Sequence, residues 1–142
     1  MEVLKTRTDA LKKALTTLGE ALGKKEKGTC LDYRELRDSI IKRFEYCSDT
    51  FWKYLKDYLL AMYSTEVEIA RPKIVFRECH NTKILSDDEL NLCLGLIEDR
   101  KLTSHTYNED LAEEIGEKIP QYYNLMVLIF ERCNKNYTSR KI

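Results

Sequence analysis

The stretch LDYRELRDSIIKRFEYCSDTFWKYLKDYLLAMY, residues 31–63, decides the fold because it is one long amphipathic pattern without a proline or glycine. Its apolar residues recur at helical spacing. They form one stripe of Leu36, Ile40, Phe44, Cys47, Phe51, Leu55, Leu59 and Met62. At roughly 1.5 Å per residue this helix is about 48 Å long. The rest of the chain must therefore fold back along it.

A second face of the same helix is charged, with Trp52 beside it. Glu45, Asp49 and Lys53 follow one another at steps of four, the spacing at which side chains on one helix form ion pairs. We therefore expect an ion-pair ladder along this face. A tryptophan outside the apolar stripe indicates either core packing on a second surface or a contact with another subunit. We favour a dimer or partner contact for Trp52, with core packing as the open alternative.

Before this helix, the pattern predicts one more. Leucines at helical spacing from Leu4 to Leu22 predict a helix over about residues 3–22, and Gly23 is expected to end that helix. Residues 23–28, GKKEKG, then form a charged loop.

After the long helix, three more are predicted. Pro72 begins a short helix that ends near Asn81, because proline suits the first helical turn. Ser86 and Glu89 form a capping box for a fourth helix. The last helix runs from about Tyr107 to Cys133, with a frayed tail from about residue 134. No stretch alternates like a strand, so residues 1–142 are expected to form a single all-α domain, an up-and-down four-helix bundle with an extra short helix.

The composition of the chain argues against several classes of function. The chain has 142 residues and a formal net charge of zero, with 24 Lys plus Arg against 24 Asp plus Glu. Proteins that coat nucleic acids or bind membrane surfaces are usually basic, so a neutral chain argues against both classes. A local basic site remains compatible with a net charge of zero. We find no long apolar run and no signal-peptide core, so we expect a cytoplasmic protein without a membrane contact.

Cysteines and other metal-ligating residues are scattered. Neither metal-ligand nor redox spacing occurs, and no glycine-rich phosphate loop is present. The cysteines are Cys30, Cys47, Cys79, Cys93 and Cys133. We expect them to be free thiols packed in a reducing compartment, with no metal and no cofactor.

The chemically richest stretch is EDRKLTSHTY, residues 98–107, which holds Arg100, His105 and Tyr107. On a helix with about 100° per residue, His105 lies roughly 140° from Arg100, so one straight helix cannot point all three at one ligand. Either the helix ends near Thr103 or Ser104, or a second chain completes the site. The segment 106–109, TYNE, fits a capping box that would place Tyr107 in the first turn of a new helix.

These residues suit metal-independent RNA cleavage. Arg100 could grip the phosphate through two hydrogen bonds, and His105 could act as base or acid near neutral pH. One histidine cannot easily serve as both, so this hypothesis requires a twofold dimer with the motif at its interface. In the alternative, a partner enzyme modifies the Tyr107 oxygen while Arg100 and His105 orient a nucleotide phosphate. A polar helix junction without a ligand is the third possibility.

The motif Arg100-x4-His105-x-Tyr107 occurs together with two longer blocks. One is RFEY, residues 43–46, followed by FWK, residues 51–53, and the other is LIEDR, residues 96–100, through LTSHTYN, residues 102–108. Together they resemble the HEPN superfamily of helical domains, and within it the nucleotidyltransferase substrate-binding proteins, which are small partners of minimal nucleotidyltransferases. The resemblance covers residues 33–133. The chain departs from the family pattern at Lys101, where asparagine is usual, and at Asp49, where glutamate is usual.

The resemblance implies a homodimer that assembles with a separately encoded minimal nucleotidyltransferase and binds its substrate or nucleotide. In related toxin–antitoxin systems the helical protein is an RNase, and its partner adenylylates a tyrosine to silence it. Carried over, Arg100 and His105 would be catalytic and Tyr107 modified. Substrate or nucleotide contacts are then expected from Tyr107, Glu98, Asp99 and Lys53. Whether the chain is itself an enzyme, an endoribonuclease acting on RNA, stays open.

Overall fold

A computed structural model describes residues 2–28 and 32–140. These residues form five α-helices, one 3-10 turn and no strand, which confirms the all-α class. The elements are α1 (Glu2–Lys27), α2 (Tyr33–Tyr63), α3 (Pro72–Asn81), α4 (Asp87–Leu102), the 3-10 turn (Thr103–His105) and α5 (Glu109–Arg140). The short helix α3 is the extra one. Helix α2 contacts each of the other four helices, so the long amphipathic stretch is the centre of the bundle.

The aromatic residues of α2 connect it to its neighbours. Phe44 stacks on Tyr122 of α5 with ring centroids 5.7 Å apart, and Tyr54 meets Phe130 of α5 edge-on at 5.2 Å. Phe51 contacts a phenylalanine of α3 at 6.0 Å. All three α2 rings are buried, and burial of one such side chain stabilises a fold by about 1.5–3 kcal/mol. The apolar stripe of α2 therefore fixes where α3 and α5 lie.

Two helix starts were predicted correctly from local chemistry. Pro72 is the first residue of α3. At the start of α4 the Ser86 hydroxyl accepts from the Glu89 amide at 3.2 Å, and the Glu89 carboxylate accepts from the Ser86 amide at 2.9 Å. This reciprocal pair satisfies two N–H groups that no helical carbonyl can reach.

The predicted end of α1 at Gly23 was wrong, because the helix continues to Lys27. A glycine inside a helix costs only about 1 kcal/mol relative to alanine, which packing of the rest of α1 can offset. The last turn also carries Lys24, Lys25 and Lys27, and cations are favourable at a helix C-terminus. Residues 23–27 are therefore helical and do not form the predicted charged loop.

The start and end of α5 also differ from the prediction. The side chain of Asn108 accepts from the amides of Asp110 and Leu111 at 3.1 and 3.2 Å, so Asn108 is the cap and the helix begins at Glu109. Tyr107 consequently precedes the helix. At the other end α5 continues beyond Cys133 to Arg140. The Arg140 guanidinium donates to the carbonyl of Met62 at 2.8 Å, which ties this last turn to the end of α2.

The four cysteines within the described residues are free and buried, namely Cys47, Cys79, Cys93 and Cys133. Burial raises the pKa of the Cys47 and Cys93 thiols to about 12, so neither is a thiolate at neutral pH. Cys30 lies outside the described residues. None of the described helices combines the length and the apolar character needed to cross a membrane.

Candidate functional site at the end of α4

The chain leaves the α-helix near Thr103, as one of the two alternatives predicted. Helix α4 ends at Leu102 and a 3-10 turn covers Thr103–His105. Two hydroxyls stabilise this ending: the Thr103 hydroxyl lies 2.6 Å from the carbonyl oxygen of Arg100, and the Ser104 hydroxyl donates to the carbonyl of Lys101 at 3.1 Å. Because the last carbonyls of a helix have no helical partner, side chains that reach them favour a turn at this point.

Arg100 is held by two carboxylates of α2. Its Nε and Nη2 atoms donate to the two oxygens of Asp49 at 3.2 and 3.1 Å. Its Nη1 donates to Glu45 Oε2 and to the Thr103 hydroxyl, both at 3.1 Å. The hydrogen bond with Asp49 raises the pKa of Arg100 above its usual value. The guanidinium is thus a bridge between α2 and α4, and two negative charges already face it.

The predicted ion-pair ladder along α2 was wrong. Glu45 and Asp49 bind Arg100 of α4, and the Nζ atom of Lys53 lies 5.8 Å from the ring centroid of Trp52. A pair within one helix contributes only a few tenths of a kcal/mol, whereas a two-pronged arginine–carboxylate contact is stronger. Trp52 itself is half-buried and packs against the core, and its role as a subunit contact stays a prediction.

Asp99 faces α5 and is buried. The Tyr122 hydroxyl donates to Asp99 Oδ2 at 2.5 Å, and Lys118 Nζ lies 3.7 Å from the same oxygen. Burial, together with this hydrogen bond, raises the pKa of Tyr122, so the phenol remains a donor. Asp99 therefore has a place in the packing of α4 against α5.

Glu98 faces a third direction. Its carboxylate bonds the ammonium group of Lys73 on α3 and lies 3.6 Å from Lys101. The bond with Lys73 lowers the pKa of Glu98. Successive helical residues are about 100° apart, so Glu98, Asp99 and Arg100 point to three different helices. The structure does not bring these three predicted residues together.

His105 and Tyr107 do come together. Their ring centroids are 6.0 Å apart, with the planes nearly perpendicular at 80°. Both side chains are exposed, and Tyr107 is 83% exposed. A phenol oxygen is thus open to solvent beside an imidazole. Among the described residues neither side chain bonds to Arg100.

An open groove of about 650 Å³ lies between α2 and this turn. Tyr107 and Thr106 line one side, and Lys42, Asp38 and Glu45 are among the residues of the other. Lys42 Nζ is 3.8 Å from Glu45, so this cation also has a carboxylate nearby. The groove offers an aromatic ring and hydroxyls, and its acidic side chains outnumber its single cation.

Sequence reasoning missed the contacts of three residues that the structure places at or beside this site. Thr103 contacts both Arg100 and Glu45, and Tyr122 holds Asp99. Glu45 was recognised as charged but assigned to the wrong partner. Its spacing of four from Asp49 was the available signal, since two carboxylates one turn apart match the fork of a single guanidinium. Within the described part of the chain, no group of three or more His, Cys, Asp or Glu residues could hold a metal ion.

The fold and the motif together define an all-α bundle with an Arg-x4-His-x-Tyr segment at a helix-to-helix turn. A family model described as "nucleotidyltransferase substrate binding protein like" matches residues 6–135, and this chain belongs to that family. The crystal structure of a protein from Thermus thermophilus is similar, with 40% sequence identity and a TM-score of 0.76, and the match covers 87% of this chain and 98% of that chain. A comparison with curated proteins finds no match.

Proposed function

We propose that this chain is the substrate- or nucleotide-binding subunit of a separately encoded minimal nucleotidyltransferase, in a cytoplasmic two-component system of the toxin–antitoxin kind. The observation that carries this proposal is the family match over residues 6–135, because that family is described by substrate binding for a nucleotidyltransferase.

Tyr107 is the residue we propose the partner modifies. Its phenol is 83% exposed and its oxygen has no hydrogen-bond partner among the described residues. In adenylylation the phenol oxygen forms a bond to the α-phosphorus of ATP and pyrophosphate leaves. The phenol proton must pass to a base, and the His105 imidazole, whose ring contacts that of Tyr107, is suited to take it.

Co-expression with a minimal nucleotidyltransferase from the same genome tests both parts. We expect the two proteins to purify as one complex, and intact-mass analysis to show the mass of this chain increased by one AMP. Tyr107→Phe should abolish the added mass. Tyr46→Phe is the matched control, because Tyr46 is also exposed, at 57%, but lies on α2. Separate elution of the two proteins, or AMP on another residue, would overturn the proposal.

The second candidate is a metal-independent endoribonuclease built from Arg100 and His105 in a homodimer. The exposed imidazole of His105, which makes no ion pair with any described residue, favours it. Arg100 counts against it in the isolated chain, because a phosphate would have to compete with Asp49 and Glu45 for the guanidinium. This function therefore requires that RNA binding rearranges the Arg100 contacts.

Growth on induction of the chain without its partner distinguishes the two candidates. His105→Ala is the cleanest variant, since His105 is exposed whereas Arg100 links two helices. If the wild type arrests growth and fragments RNA and His105→Ala does not, the RNase candidate is correct. If wild type and variant are both soluble and harmless, the binding-subunit proposal stands alone.

We also propose that the chain is a homodimer, with Trp52 at a subunit contact. Its half-buried position leaves part of the indole available to another chain. Light scattering should give twice the chain mass for the wild type. Trp52→Ala should shift the protein toward monomer while the circular dichroism spectrum stays helical. A Trp52→Ala variant that unfolds would instead assign this residue to the core.

A further inference from the structure

A second groove lies between α3 and the end of α4. It has a volume of about 360 Å³. Four cations line it, namely Arg71, Lys73, Arg77 and Lys101. Its apolar part consists of Pro72, Ile74 and Ile97. Among the described residues no carboxylate lines this groove, although the chain as a whole has a net charge of zero.

The cations of this groove are only partly neutralised. Glu98 bonds Lys73 and lies 3.6 Å from Lys101, so two cations share one carboxylate. Arg71 and Arg77 form no ion pair with any described residue, and both are exposed. Three positive charges are therefore in excess, in contrast to Arg100, which two carboxylates face. Excess positive charge in a concave surface attracts anions.

The backbone at the start of α3 adds to the positive electrostatic potential of this groove. Pro72 has no N–H, and the Arg71 side chain does not cap the helix. The first backbone bond of α3 is donated by Val75 to the carbonyl of Arg71 at 3.0 Å. The amides of Lys73 and Ile74 precede it and have no backbone partner among the described residues. A helix start with free amides favours negative charge, and here it supports a groove whose side chains are already basic.

We propose that this groove binds the phosphate chain of a nucleoside triphosphate, with the base over its apolar part. Guanidinium groups bind phosphate oxygens through parallel hydrogen bonds, and Arg71 and Arg77 have their groups available. Pro72, which is half-buried, and Ile74, which is 37% exposed, supply the apolar surface for the base. The volume lies within the range of small-ligand sites, about 300–1,000 Å³.

A nucleotide suits this groove better than an RNA strand. Binding of RNA through its backbone needs a basic track that extends over several phosphates. Here the four cations line one groove of about 360 Å³, in a chain whose net charge is zero. The proposal deepens the proposed function and rests on it in one respect, that the ligand is a nucleotide. The site itself is separate from the Arg100, His105 and Tyr107 segment.

Calorimetric titration of the full chain with ATP tests the proposal. We expect Arg71→Gln plus Arg77→Gln to weaken ATP binding by at least about tenfold, the effect of losing roughly 1.4 kcal/mol of binding free energy. Glu98→Gln should strengthen it about threefold, since it removes the carboxylate that competes for Lys73. Lys5→Gln plus Lys13→Gln is the matched control, because it removes two exposed cations from α1 and should leave ATP binding unchanged.

Three results would overturn the proposal. The first is no heat of binding with ATP for the wild type, or adenosine binding as tightly as ATP. The second is ATP binding that persists in the Arg71 and Arg77 double variant but is lost in Tyr107→Phe. The third is a single-stranded oligonucleotide that binds far more tightly than ATP and more tightly with length, which would assign the groove to RNA.

The same variants separate this proposal from the proposed function. The Arg71 and Arg77 double variant, mixed with the partner nucleotidyltransferase, should still form the complex while its own ATP binding is weakened at least about tenfold. If the wild type forms no complex but binds ATP through these arginines, the proposed function fails and the groove remains. If it forms the complex but binds no ATP by itself, only the groove proposal fails.

Discussion

Arg100 and Lys101 are neighbours in the chain, yet they belong to two cationic regions with opposite charge balance. The Arg100 region pairs one guanidinium with Asp49 and Glu45 of α2. The groove between α3 and α4 holds four cations, of which Lys73 and Lys101 share the Glu98 carboxylate. The comparison shows that a cation can belong to a recognised motif and still be occupied by carboxylates of the protein. Whether it can bind an anion depends on the carboxylates that neighbouring helices bring to it.

The largest effect on stability should come from Arg100→Ala. It leaves Glu45 and Asp49 near each other without their cation, and we expect the free energy of unfolding to fall by about 2–3 kcal/mol. Urea denaturation followed by circular dichroism measures this. Lys101→Ala, with a side chain 61% exposed, is the control and should change stability by less than about 0.5 kcal/mol. Equal effects of the two variants would remove the distinction between the regions.

A smaller effect is expected for Tyr122→Phe, which tests the contact of α4 with α5. It removes the hydroxyl that donates to Asp99 while it keeps the ring that stacks on Phe44. We expect a loss of about 1.5 kcal/mol at neutral pH, as for a hydrogen bond to a charged group. Denaturation curves for both proteins measure it, and a change below about 0.3 kcal/mol would contradict the structural role of Asp99.

The same pair of proteins should differ in its alkaline behaviour. The folded pKa of Tyr122 is raised above that of a free tyrosine, about 10, so the hydroxyl contributes its full stability below pH 10. That contribution is lost as the pH rises toward the folded pKa. The stability difference between wild type and Tyr122→Phe should therefore shrink above about pH 10. A difference that is constant up to about pH 11 would show that the phenol does not titrate in this way.

The smallest effect on stability is expected for Arg71→Gln plus Arg77→Gln. Both side chains are exposed and form no ion pair with a described residue, so the free energy of unfolding should change by less than about 0.5 kcal/mol. Together with the result for Arg100→Ala, this would show that removing charge from the groove leaves the stability of the fold unchanged, whereas removing charge from the Arg100 region lowers it. A loss above about 1 kcal/mol would mean that the groove arginines are part of the fold.

Local sequence signals predicted most of the fold. The apolar stripe of α2, the Ser86 and Glu89 capping box and the proline at the start of α3 each act through neighbours in the chain, so they can be recognised without tertiary structure. The errors in the predicted helix boundaries arose where several small free-energy contributions oppose one another. Gly23 disfavours a helix only slightly, and Asn108 was a better cap than Thr106 because its side chain reaches two free amides.

The site was harder to predict because its geometry depends on contacts between helices. The bend after Thr103 followed from the local residues, and the contact of His105 with Tyr107 results from it. The partners of Arg100 could not be predicted from local residues, because Glu45 and Asp49 precede it in the chain by about fifty residues. Likewise the sequence pattern treated Glu98 and Asp99 as one group with Arg100, although a helix turns them to different neighbours.

The asparagine cap has a consequence for how Tyr107 could serve as a signal. Asn108 anchors the backbone immediately after it, and the phenol projects from that anchored corner into solvent. An enzyme can therefore reach the oxygen without any local opening of the chain, so the rate of modification would follow encounter with the enzyme and would not track folding stability. A group could therefore be attached to Tyr107 and removed again while the helical bundle stays folded.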